Sequence, residues 1–253
     1  MQTTSQSANE SVAGQRQRHA FLAGLLVLAA LVLVFPLSAI SVEGRQIHAK
    51  AKTMPAKSTA LVIIGASYAK GWNPTELAGL KVINRGVGGE QTHEILARFD
   101  QDVLMQAPRA VIIWGFINDI FRSTPEEVEK KLVRSRENLS NMIDKARSKG
   151  IVPILATEVT LPVSDSWKDQ LASWIGTLRG KKSYQDYINS HVIEMNHWVR
   201  RVAVEKKLTV LDFEKVLGDE KGRRRVEYTT EDGTHLSPKA YAALTDSVKH
   251  LNF

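Results

Sequence analysis

The sequence predicts an α/β fold in which a central, mostly parallel sheet lies between two layers of helix. Three observations carry this. Short uncharged runs rich in Val, Ile and Leu recur along the chain, stretches with apolar residues at helical spacing separate them, and glycine-bearing loops stand at their ends. Continuous apolar runs of that kind are strands buried on both faces. Strands that alternate with helices require right-handed crossovers and so parallel neighbours. The expectation is a three-layer α/β/α sandwich on a five-stranded sheet.

Ala60-Leu-Val-Ile-Ile-Gly65 is the first strand, and Ser67 stands just past its carboxyl end, where open α/β sheets place their ligands. Taken alone, a serine there is equally a turn residue or a helix cap. Leu80–Ile83 is the second strand, and Glu90–Gln106 reads as a helix with Ile95, Leu96, Phe99, Val103 and Leu104 on one face. Ala110–Trp114 is the third strand. Pro125–Lys149 comes next as a long amphipathic helix, with Thr124 as its cap and Gly150 at its end. Ile151–Ala156 is the fourth strand, Tyr184–Lys206 a helix and Leu208–Leu211 the fifth strand. Ser237–Leu251 is the last helix, capped by Ser237 with Pro238 at its first position. Leu161–Ser183 interrupts the alternation and reads as an insertion over the carboxyl edge of the sheet.

The 253 residues divide into a polar, disordered tail at 1–19, an apolar segment at 20–41, a polar tether at 42–57 and a folded domain at 58–253. Ala20 to Ser41 holds no charged residue, a length that suffices for a membrane-spanning helix. It reads either as an uncleaved anchor or as a signal peptide cleaved after Ala39. Its length, and bulky Leu37 before the cleavage position, favour the anchor. Arg16 and Arg18 precede the segment, while Arg45, Lys50, Lys52 and Lys57 come after it. Charge counting alone would keep the domain in the cytoplasm, whereas a single N-terminal apolar segment generally exports the domain attached to it. The expectation is a domain outside the cytoplasmic membrane, or a secreted one if the segment is cleaved.

The chain has no cysteine, which excludes disulfides, thiolate metal sites and a cysteine nucleophile. A net charge of +7 is scattered rather than laid along a stripe, and no nucleic-acid-binding motif is present. The densest basic group, Lys221-Gly-Arg-Arg-Arg225, reads as a solvated loop or a contact for membrane phosphates.

Four short motifs stand at the ends of the elements: Gly65-Ala-Ser67-Tyr68, Asn84-Arg-Gly86-Val-Gly88-Gly89, Gly115-Phe-Ile-Asn118-Asp119 and Asp232-Gly-Thr-His235. The first lacks the glycine two residues after the serine that a nucleophile elbow requires. The second lets a backbone approach a ligand with its N–H groups free, but lacks the spacing of a dinucleotide loop. In the fourth, a carboxylate three residues before a histidine can reach its Nδ1 and fix its tautomer.

Together these motifs resemble the SGNH, or GDSL-type, hydrolases, from about Thr59 to Leu251. The resemblance implies a flavodoxin-like sandwich and a serine esterase that uses neither metal nor cofactor. It implies that Ser67 is the nucleophile, His235 the base that activates it, and Asp232 the group that orients His235. The oxyanion hole is then the backbone N–H of Ser67, the backbone N–H of Gly89 and the side-chain amide of Asn118. Two positions depart from the family pattern: Ala66 replaces an Asp, and Phe116 replaces a Gly two residues before the Asn. Phe116 either alters the backbone that presents Asn118 or faces the pocket.

The partners implied are an ester substrate, a glycan O-acetyl group or a lipid acyl ester, and a membrane through residues 20–41. Lipid or thioester hydrolysis, acyl transfer on the same triad, and a non-catalytic binding protein on a retained hydrolase fold stand as alternatives. Outside the four motifs, His191, Glu194 and His197 share a helix face at spacings that suit a metal or a solvated polar face. Trp167, Trp174, Tyr184 and Tyr187 would line a cleft or pack the insertion down, and His93 reads as a surface residue.

Overall fold

The computed structural model describes residues 58–162 and 184–251. The tail, apolar segment and tether expected at 1–57, and Trp167 and Trp174 of the expected insertion, lie outside the described residues. Among those described, no helix is long and apolar enough to cross a membrane.

The elements run β1 (Ala60–Gly65), α1 (Ser67–Gly71), β2 (Glu76–Leu77), β3 (Leu80–Gly86), α2 (Thr92–Ala97), α3 (Phe99–Asp102), β4 (Ala110–Trp114), α4 (Ile117–Phe121), α5 (Val128–Ser148), β5 (Val152–Ala156), α6 (Tyr184–Lys206), β6 (Thr209–Leu211), α7 (Phe213–Leu217) and α8 (Pro238–Val248). They form one sheet of order β2-β3-β1-β4-β5-β6. Every pairing is parallel except β2 with β3. β1 and β4 lie at its centre. Every residue of β4, and every residue of β1 beyond Ala60, is buried, as the uncharged runs require. The helices α2, α4, α5 and α6 pack on one another, while α7 packs on α8.

Two expectations are corrected. The sheet has six strands, not five, because β2 adds an antiparallel edge through a two-residue turn. Both turn residues, Ala78 (φ 49°) and Gly79 (φ 74°), take left-handed conformations, the geometry of the tightest hairpins. The single helix expected over Glu90–Gln106 is broken into α2, α3 and a 3₁₀ turn at Leu104–Gln106. The break falls at Arg98, whose backbone leaves helical geometry (φ −100°, ψ 1°). Its guanidinium reaches the Glu90 carboxylate (2.8 Å), Asp102 (2.5 Å) and the carbonyl of Gly65 (3.2 Å).

The helix expected from Pro125 begins at Val128 after a turn in which the Thr124 carbonyl accepts from Glu127 and Val128. Gly150 ends it in the left-handed conformation (φ 70°). Ser237 caps α8 as expected, its hydroxyl accepting from the Ala240 N–H at 3.3 Å with Pro238 in the first turn.

The core beneath the carboxyl edge is aromatic. The Phe213 ring meets Trp114 (4.7 Å) and Trp72 (5.2 Å) edge-on, and Tyr68 lies 5.8 Å from Trp114. This cluster joins β4, α1 and α7, so the platform below Ser67 is packed from both sides of the chain.

Candidate active site

The site is built where β1, β3 and β4 end. β1 and β4 approach so closely there that a methyl group on Gly65 would stand 1.7 Å from the Trp114 carbonyl oxygen, which only glycine avoids. The chain then turns straight into α1, so Ser67 opens a helix at the edge of the sheet. Asn84 locks this corner. Its amide donates to the carbonyls of Ala69 and Trp72, both at 2.8 Å, and its oxygen accepts from the Gly86 N–H at 2.7 Å.

The glycine loop after β3 lies over the serine. A methyl group on Gly88 would sit 4.0 Å from the Ser67 Cβ, and Gly89 has φ 81°, a conformation side chains rarely adopt. Among the described residues no acceptor takes the N–H of Ser67 or of Gly89. Asn118, in the first turn of α4, donates one amide hydrogen to the Glu90 carbonyl at 2.9 Å. An amide nitrogen carries two hydrogens, so a second donor remains. These three N–H donors are thus left without an acceptor among the described residues.

Asp232 and His235 meet as the spacing requires, with His235 Nδ1 2.6 Å from Asp232 Oδ2. The other carboxylate oxygen accepts from the N–H groups of Thr234 (2.8 Å) and His235 (2.9 Å) and from the Thr230 hydroxyl (2.8 Å). The His235 ring and these donors hold the carboxyl well below the usual aspartate range. With Asp232 ionised, Nδ1 carries the proton and Nε2 presents its lone pair. Both side chains are about half exposed, at 50% each.

The His235 loop and the Ser67 helix are joined through Tyr68. Its hydroxyl donates to the Thr234 carbonyl at 2.9 Å, and its ring lies edge-on to His235 with centroids 6.5 Å apart. Burial pushes the phenol up to about 12, so it stays a donor. The structure records no hydrogen bond between the Ser67 hydroxyl and His235; such contacts are commonly loose before substrate binds.

Two residues of this frame have a structural role that the sequence did not assign. Arg224 is almost fully buried, and its guanidinium donates to the carbonyls of Thr234 (2.9 Å) and Gly233 (3.2 Å). Asp119 accepts from the Thr92 N–H (2.9 Å), the Thr92 hydroxyl (2.8 Å) and the Ser135 hydroxyl (2.8 Å), which ties α4 to α2 and α5. Burial raises its carboxyl above the ordinary range despite these bonds.

The basic run at 221–225 is a solvated loop only in part, with Lys221 exposed. Arg223 pairs with Asp219 (2.9 Å), Arg224 is interior, and Arg225 stacks on Tyr228 (4.6 Å) while donating to the Val216 carbonyl. Phe116 has its side chain in the core at 1% exposure and does not face the pocket.

Away from this edge, His191 and Glu194 come together with Glu129 of α5, their ligand-type atoms within 4.8 Å of one another. Glu194 already pairs with Arg136, and His197 is exposed and apart from the group. His93 is exposed, as expected. Tyr184 is exposed, and Tyr187 packs partly on the core and edge-on to His191.

Comparison with known proteins places this geometry. Residues 64–243 match the GDSL-like lipase/acylhydrolase family model. Over 82 residues the chain is 38% identical to an uncharacterized lipoprotein, YqeF, of Bacillus subtilis (strain 168), a match that covers 32% of this chain and 34% of that protein. It spans about a third of that relative's length. Among solved structures it is similar to a GDSL-like lipase from Bacteroides thetaiotaomicron VPI-5482, at 18% identity over 76% of this chain and 86% of that one, with a TM-score of 0.56. It is also similar to Axe2, an acetylxylan esterase from Geobacillus stearothermophilus, at 16% identity over 77% and 94% of the two chains, with a TM-score of 0.56. At those identities the likeness is one of fold. The family match spans all four motifs and most of the described residues, and on that ground the chain belongs to the GDSL-like lipase/acylhydrolase family.

Proposed function

We propose that the chain removes a small acyl group, acetyl above all, from a carbohydrate through an acyl intermediate on Ser67. The observation that carries this reading is the Asp232–His235 pair: Nδ1 is engaged at 2.6 Å and Nε2 has no partner among the described residues, on a loop that Tyr68 ties to the helix opened by Ser67.

In this reading His235 Nε2 takes the Ser67 proton as Oγ attacks the ester carbonyl. The N–H groups of Ser67 and Gly89 and the free amide hydrogen of Asn118 receive the developing oxyanion. As the tetrahedral intermediate collapses, the imidazolium returns its proton to the departing alcohol oxygen. Water, activated by the same imidazole, then attacks the acyl-serine carbonyl and frees the acid and the serine.

The substrate class rests on the openness of the site. Asp232 and His235 are half exposed, which leaves room among the described residues for a bulky alcohol portion such as a sugar chain. Phe116 is turned into the core and adds no apolar surface for a long acyl chain. That Axe2, an acetylxylan esterase, shares the fold is consistent with this assignment.

The uncharged segment 20–41 supports a membrane tether for the domain, on the extracytoplasmic side. With no cysteine in the sequence to carry a lipid, attachment runs through that segment. Deleting residues 20–41 then moves the protein out of the membrane fraction; a deletion variant that stays there contradicts the tether.

A chain-length series of p-nitrophenyl esters tests the function. Acetyl turns over fastest, turnover falls steadily towards decanoyl, and Ser67→Ala abolishes it on all of them. Fastest turnover on decanoyl or longer refutes the small-acyl assignment, and undiminished turnover in Ser67→Ala refutes the nucleophile.

A further inference from the structure

Glu158 is a buried carboxyl that the chemistry above does not use. It comes just after β5 at the same carboxyl edge that carries Ser67 and Asn118, and it is 1% exposed. Its Oε1 accepts from the Phe116 N–H at 2.9 Å and from the Ile117 N–H at 3.4 Å. These are the two backbone groups that immediately precede Asn118.

Helices leave their first N–H groups without intrahelical partners, and a side chain at the cap usually takes one. At the start of α4 the cap position is Phe116, which has no acceptor and makes no such bond. The carboxylate of a neighbouring strand serves instead.

Glu158 is itself held rigidly. Asn196 of α6 accepts from the Glu158 N–H and donates to its carbonyl, both at 2.8 Å, and Asn196 is fully buried. Two residues on, the Thr160 hydroxyl accepts from the Arg224 N–H at 2.9 Å, and the Arg224 guanidinium holds the carbonyls ahead of His235. One short rail after β5 thus reaches both the Asn118 helix and the His235 loop. Glu158 makes no hydrogen bond to Ser67 or His235, and its recorded side-chain bonds go to the backbone ahead of Asn118.

We propose that Glu158 is the positioning residue of the oxyanion hole: its carboxyl, through the N–H groups of Phe116 and Ile117, sets where the Asn118 amide stands when the ester carbonyl is attacked. The assignment rests on the reading of Asn118 as an oxyanion donor. It also accounts for the departure at Phe116. The large side chain goes into the core, and a carboxyl from the next strand fixes the backbone that a small residue would leave free to pack.

The test uses the full chain and p-nitrophenyl acetate, with rates expressed per active site titrated by a fluorophosphonate. Asn118→Ala lowers kcat about 10²–10³-fold, the range for loss of one oxyanion donor. Glu158→Ala lowers kcat about 10- to 100-fold with KM within about twofold, because the reacting groups are displaced rather than removed.

Glu158→Gln keeps an oxygen acceptor at the same reach and recovers most of that loss. Glu158→Asp keeps the carboxyl but withdraws its oxygen by a methylene, and it behaves like Glu158→Ala. Should Glu158→Ala not fold, the contrast between Gln and Asp carries the test. Combining Glu158→Asp with Asn118→Ala gives no loss beyond Asn118→Ala alone, since one acts through the other. Unchanged kcat per titrated site in both Glu158→Ala and Glu158→Asp overturns the proposal, as does a double variant whose losses multiply. If Asn118→Ala itself leaves kcat intact, the oxyanion reading fails first and this assignment with it.

Discussion

Asp232 is held as an anion by four donors: the His235 ring, two backbone N–H groups and the Thr230 hydroxyl. Its carboxyl therefore lies below the ordinary aspartate range, and the sign of that shift has two consequences. The stability it supplies is complete above the pKa of a free aspartate, about 3.9, and is lost as pH falls below that. Across the working range Asp232 does not titrate, so it adds no proton to the acid limb of kcat/KM, whose slope stays at one. A limb steeper than one proton would contradict this. Asp232→Asn removes the anion that fixes the Nδ1–H tautomer and lowers kcat by about 10²–10⁴-fold, with the backbone turn retained. A loss under tenfold would mean the loop alone orients His235. Asp232 and His235 were legible in the sequence because they lie three residues apart in one turn. Arg224 was not, because its partner Tyr68 lies 156 residues away and its neighbours Arg223 and Arg225 look the same in sequence.

The corner that presents Asn118 depends on how short elements lock together. Asp119 in α4 accepts three hydrogen bonds from α2 and α5, and the Glu90 carbonyl takes the Asn118 amide while the Glu90 carboxylate takes Arg98. Asp119→Ala leaves the buried Thr92 N–H and hydroxyl short of an acceptor, while the Ser135 hydroxyl keeps the Lys131 carbonyl. It lowers stability by about 3 kcal/mol, read from the urea midpoint, with activity lost in step as the corner loosens. A midpoint shift below about 1 kcal/mol would show that the corner is held by packing alone. The central strands could be read from sequence because burial on both faces leaves an uninterrupted apolar run. β2 could not, since two residues joined by an Ala-Gly turn carry neither periodicity nor the Asn-Gly signature. The apolar spacing over 90–106 was correct for a helical region. It gave no warning that Arg98 would leave helical geometry as its guanidinium reaches Glu90 and Gly65, since such contacts are set by tertiary structure. Glu158 was open to discovery by the logic that found Ser67, because it too is a polar residue just past the carboxyl end of a buried strand.

At the scale of the molecule, four loops from β1, β3, β4 and the approach to α8 gather at one edge of the sheet, and the aromatic cluster of Trp72, Trp114 and Phe213 forms the floor beneath them. The order of the motifs along the chain predicted this gathering, since each stands after a strand or before a helix at the same edge. The frame between the loops was left undetermined by the sequence: the Tyr68 link, the buried guanidinium of Arg224 and the rail after β5. Those contacts join residues far apart in the chain and have no local signature. The central claim is that these loops build one activated serine. The most direct measurement is covalent labelling of the full chain by a fluorophosphonate, compared with Ser67→Ala and His235→Ala. The account predicts that wild type is labelled at Ser67 and that labelling disappears in both variants. A well-folded wild type that resists the probe, or labelling that survives in Ser67→Ala, would contradict it.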